Sequence, residues 1–68
     1  MARRDDALRV LEAFNTRRPD NVDVLNALIS FNRDAGRRQA ALTFARQLRT
    51  VLPNEAAVDR LVRELEPP

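Results

Sequence analysis

Guanidinium and carboxylate groups are the main reactive functionality of this chain: twelve arginines and ten acids, with no lysine, histidine or cysteine among its 68 residues. Without imidazole or thiolate the ordinary general bases, thiol nucleophiles, disulfides and nearly every zinc site are removed together. Ser30 has no histidine to activate it, the single glycine, Gly36, cannot make a glycine-rich phosphate loop, and the acids are scattered rather than paired. Nucleophilic and acid–base catalysis need convergent groups of that kind. An enzyme is therefore not expected, nor is any cofactor or metal.

Arginine pairs are the second chemical feature. Arg3/Arg4 and Arg37/Arg38 could grip phosphates or carboxylates through bidentate hydrogen bonds, and Arg33 lies close in sequence to the second pair. Asp5, Asp6 and Asp34 stand beside the same pairs and neutralise much of their field, and the net charge is only +2. The high isoelectric point follows from the missing lysine and histidine more than from a large positive potential. Three aromatic residues, Phe14, Phe31 and Phe44, are too few for a base-stacking surface. Nucleic acid is thus not the expected partner, and the pairs read first as solvated turns.

Size sets a further bound. One core of fewer than roughly 70–80 residues rarely supplies more than about 3–5 kcal/mol, so small domains lean on staples, partners or very regular helix packing. No apolar run reaches the roughly 18 residues that would span a bilayer, and no hydrophobic signal core follows the first arginines. The expected setting is the cytoplasm, or the periplasm if a leader has been removed.

The elements that must position these groups are helices. Apolar residues recur with helical rather than alternating period in four segments, and the composition, 44% hydrophobic with 32% charged, suits a soluble globular chain. Ala7, Leu8, Val10, Leu11 and Phe14 form the first stripe, which must end before Pro19. Asp20 or Asn21 then offers an N-cap for a second segment with Val24, Leu25, Leu28, Ile29 and Phe31, which stops at Gly36. The third carries Ala41, Leu42, Phe44, Ala45, Leu48 and Val51 and is halted by Pro53. Asn54 is the expected cap of a fourth, with Ala57, Val58, Leu61, Val62 and Leu65, closed by Pro67 and Pro68.

The third segment repeats the first. An offset of 34 aligns Arg3/Arg37, Arg4/Arg38, Ala7/Ala41, Leu8/Leu42, Thr16/Thr50 and Pro19/Pro53 as identities. A helix, a tight turn and a second helix in a 34-residue period is the signature of the tetratricopeptide repeat, W-x2-L-G-x2-Y, then A-x3-F, then P. Leu25, Leu28, Ile29 and Asn32 stand at its Trp, Leu, Gly and Tyr; Ala41, Ala45 and Pro53 at its Ala, Phe and Pro; Ala7, Leu11 and Pro19 repeat the second half. Ile29 and Asn32 depart from the small and aromatic residues of the pattern. The chain therefore resembles half a repeat, one whole repeat and the first half of another, although an unrelated four-helix bundle would show the same periodicities.

That resemblance implies an all-α fold, a right-handed α-solenoid of four antiparallel helices at about 4–17, 21–35, 38–52 and 55–66, forming a single domain over 1–68. It also implies a protein-interaction scaffold, whose partner peptide or protein lies on the concave face formed by the first helices of successive repeats. The matching positions are Asp23, Asn26, Ser30, Arg33 and Asp34 on the second helix and Arg60 and Glu64 on the fourth. The family's carboxylate clamp is not expected: only Asn26 echoes it, its lysine positions are unfilled, and Asp23 would repel an acid. Carrying the offset on places Asp59, Val62, Arg63 and Glu66 where the second helix has Leu25, Leu28, Ile29 and Asn32, and such a charged face suits the end of an array. At the other end Ala7, Val10, Leu11 and Phe14 leave an apolar face open. The alternative function is accordingly an end-cap or self-association module, a homodimer through the first helix or the C-terminal piece of a longer array.

Overall fold

The structure, a computed structural model, describes residues 2–67, with side chains from Asp6 onward. It is all-helical over those residues: α1 Ala2–Arg17, α2 Val22–Asp34, α3 Arg38–Val51 and α4 Ala56–Leu65. The expected segments are all present, with α1 reaching two residues further back, so that Asp6 falls beyond its first turn.

Each boundary has a local cause. Asn21 is the N-cap of α2, its Oδ1 accepting the Val24 N–H at 3.0 Å, which satisfies a donor that has no intrahelical partner. The far end of α2 closes through paired reverse bonds, Gly36 N–H to Arg33 O at 3.1 Å and Arg37 N–H to Asn32 O at 2.7 Å. Gly36 makes that closure at φ +76°, a left-handed conformation that costs other residues strain. Pro19 and Pro53 follow α1 and α3 as expected. At the start of α4 the expectation fails: Glu55, not Asn54, is the N-cap residue, and no side chain caps that end.

Packing runs in chain order, α1 on α2, α2 on α3 and α3 on α4. Among the described residues α1 and α4 are not neighbours, so the helices do not close around one four-sided core. The main core joins the last three helices through Leu25, Ile29, Ala41, Leu42, Ala45, Leu48, Val58, Val62 and Leu65. Burying a leucine or valine of this kind contributes about 1.5–3 kcal/mol. Leu8 and Leu28 are the buried apolar residues outside that cluster, and the interface left to hold them is α1 on α2.

Positions 34 residues apart are alike in some places and unlike in others. Thr16 and Thr50 each return a hydroxyl hydrogen bond to the carbonyl four residues back, at 3.0 and 3.2 Å, as Thr43 does at 3.1 Å. Val58, Val62 and Leu65 bury α4 against α3; their equivalents on α2 are Val24, Leu28 and Phe31, of which Leu28 is fully buried and the other two half-buried. The core-facing Leu25, Ile29 and Asn32 of α2 correspond on α4 to Asp59, Arg63 and Glu66. Asp59 is half-buried, and Arg63 and Glu66 are exposed.

Candidate functional site

The expected partner-binding residues share one face of α2. Asp23, Asn26, Ser30, Arg33 and Asp34 are all exposed, spaced 3, 4, 3 and 1 apart so that they stay on one side of a 3.6-residue helix. The opposite side holds Leu25, Leu28, Ile29 and Asn32, and their burial is what turns the polar row outward. On α4, Arg60 and Glu64 are exposed and one turn apart. The structure brings Arg33 and Glu64 together on an open recess whose other walls are Gly36, Arg38 and Leu65. Asp23, Asn26, Ser30, Asp34 and Arg60 do not line it.

Charge at this recess is open to a partner. The ion pair seen among the described residues is Arg46 Nη2 with Glu66 Oε2 at 3.6 Å, both exposed, and neither lines the recess. Arg33, Arg60 and Glu64 therefore spend none of their charge on a partner within the described residues.

Arg38 behaves otherwise, and departs from the solvated turn expected of its pair. Its Nε donates to Leu65 O at 3.0 Å, and its Nη2 to Glu64 O at 2.6 Å and Glu66 O at 3.3 Å. The last carbonyls of a helix have no intrahelical donor and lie at the negative end of its dipole, so a planar cation is held there by geometry and by charge together. Arg38 fastens α4 to α3 and is not free for phosphate; Arg37 is exposed, while the side chains of Arg3 and Arg4 lie outside the described residues.

Two buried amides escaped the sequence reading. Asn32, at a position the repeat pattern gives to an aromatic, donates its Nδ2 to Leu28 O at 2.7 Å and so enters the interior satisfied. Asn15 is 92% buried and pairs with Gln47: Gln47 Nε2 donates to Asn15 Oδ1 at 3.0 Å and to Pro19 O at 3.0 Å, while Asn15 Nδ2 donates back at 3.4 Å. The only sequence signal was a polar residue in register with Leu8 and Leu11, one turn and two turns along.

The face of α1 expected to be open is exposed at Ala7, Val10 and Phe14 but not at Leu11. Val10 is 68% and Phe14 42% exposed, Ala7 is exposed and Leu11 half-buried. Their equivalents behave oppositely, since Ala41, Ala45 and Leu48 are buried between α3 and its neighbours. Among the described side chains of α1 only Leu8, Leu11 and Asn15 turn inward, so the five-residue apolar stripe read from the sequence is two faces, one covered and one bare. No group of three acid side chains among the described residues is placed to hold a metal, and no helix is long and apolar enough to cross a membrane. Comparison with protein-family models, with curated proteins and with solved structures gives no match.

Proposed function

We propose that this chain is a protein-interaction module of the tetratricopeptide kind, a right-handed stack of antiparallel helices that binds a partner peptide or segment along the outward face of α2 and α4. The observation that carries the reading is the convergence of Arg33 and Glu64 on one open recess, continuous with the polar row Asp23, Asn26 and Ser30. Chain-order packing of the four helices supports the stack. Recognition through this face is by paired charges and amides, which admits an extended segment carrying both an acid and a base.

A library of extended peptides with varied acid–base spacing, read by fluorescence anisotropy, tests it. Binders should lose at least tenfold in affinity against Arg33→Glu/Arg60→Glu at an unchanged unfolding midpoint. Peptide affinities indifferent to that double change would overturn the assignment of this face.

A second reading rests on its own observation. Val10 and Phe14 are the large apolar side chains left exposed among the described residues, and they give α1 a face suited to self-association.

A further inference from the structure

We propose that the bare face of α1 pairs with the same face of a second copy of this chain, antiparallel, with Asp6 of each copy opposite Arg17 of the other. The inference rests on the self-association reading above and gives it an occupant, an orientation and a register.

The exposed apolar residues Ala7, Val10 and Phe14 fall on a strip of α1 with a period of 3.5 residues, flanking its covered side, and Asp6, Ala13 and Arg17 run along the edge farther from α2. All six are exposed. In an antiparallel helix pair the same edge of each helix meets across the two-fold axis, whereas in a parallel pair opposite edges meet. Setting Val10 against Phe14 of the other copy centres the apolar residues on each other. The same register brings Asp6 beside Arg17 of the other copy, twice by symmetry. Parallel pairing would instead set this edge against the opposite edge of the other copy, so that Asp6 and Arg17 do not meet. Charge order along the strip therefore selects the antiparallel arrangement.

The other helix with a free face does not fit this surface. On α4 the positions equivalent to Leu25, Ile29 and Asn32 are Asp59, Arg63 and Glu66, and docking α1 there would bury charge against Val10 and Phe14 without a partner. A copy of α1 offers apolar side chains and complementary ends instead. The contact involves far fewer than the roughly 20–30 residues a side of a standard interface, so the dimer dissociates in the micromolar range or above and is seen as a concentration-dependent equilibrium.

Sedimentation equilibrium of the full chain over a wide concentration range is the test. The expected result is a monomer–dimer equilibrium that Val10→Glu weakens at least tenfold; Val10 is 68% exposed, so helicity by circular dichroism should be unchanged. Asp6→Arg and Arg17→Glu alone should each weaken the dimer at least fivefold, and the two together should restore it to within twofold. Both changes act against the helix dipole or leave it indifferent, so restoration by the double variant cannot come from helix stability. A strict monomer at every concentration, or a dimer that survives Val10→Glu, overturns both the inference and the self-association reading. A dimer lost with Val10→Glu but unmoved by the single charge changes overturns the antiparallel register alone.

Discussion

The Arg38 guanidinium, at the start of α3, donates from Nε to the carbonyl of Leu65 at 3.0 Å, bridging 27 residues to close the end of α4. With the bonds to Glu64 and Glu66 it satisfies carbonyls that the helix cannot satisfy itself. Removing it with Arg38→Ala should cost about 1–2 kcal/mol, the range of a partly exposed charge-assisted contact. In a domain of this size each kilocalorie moves the thermal midpoint by about 4–8 °C. Arg38→Lys should recover less than half, because an ammonium cannot span three carbonyls as a planar fork does. A thermal melt of the three proteins checks this, and equal midpoints would show the clamp to be idle.

Asn15 and Gln47 stand 32 residues apart and tie the end of α1 to α3, past the α2 helix between them in the chain. Asn15→Ala removes a buried amide and strands its partner; Gln47→Ala also releases the Pro19 carbonyl. A double-mutant cycle in urea should give a coupling of about 0.5–1.5 kcal/mol. Additive single changes would mean that the two amides do not act on each other.

Gly36 turns α2 into α3 at φ +76°, and a methyl group added there would meet no atom within 4 Å. Gly36→Ala therefore isolates backbone strain from crowding, and should destabilise by about 1–2 kcal/mol. Gly36→Asn should cost less, because asparagine tolerates the left-handed region better than alanine. Urea midpoints for the two variants decide, and an alanine variant as stable as the parent would refute the strain account.

How much of this was legible follows from which forces are local. Pro19, Gly36 and Pro53 act on their own neighbours, so the four helices could be placed from the residue order alone. Asn21 as a cap was legible for the same reason, whereas Asn54 was not: the helix after it begins one residue later, at a Glu55 that makes no cap bond. Arg38 and Arg4 are the same residue in the same register, yet whether such an arginine clamps a helix depends on where the end of α4 arrives in space. The apolar stripe of α1 was legible as apolar, but which of its members is covered depends on how many helices lie against it. Arg33 and Glu64 were both named from the repeat resemblance, and their meeting on one recess is a result of tertiary packing that no local pattern encodes.

Ala7 and Ala41 make the sharpest contrast between equivalent positions. They occupy the same register of the repeat, but Ala41 has no exposed surface while Ala7 is open to solvent. Enlarging Ala41 to leucine forces three extra carbons into the α2–α3 core beside Leu25 and Ala45, and should destabilise by about 1–3 kcal/mol. Ala7→Leu enlarges a surface residue and replaces one good helix former with another, so its effect should stay within about 0.5 kcal/mol. Both are to be measured by urea denaturation at concentrations well below the dissociation constant of the α1 pair, where self-association is negligible. A destabilisation by Ala7→Leu comparable to that of Ala41→Leu would mean that the first helix is covered after all, and would remove the physical basis for any docking on that face.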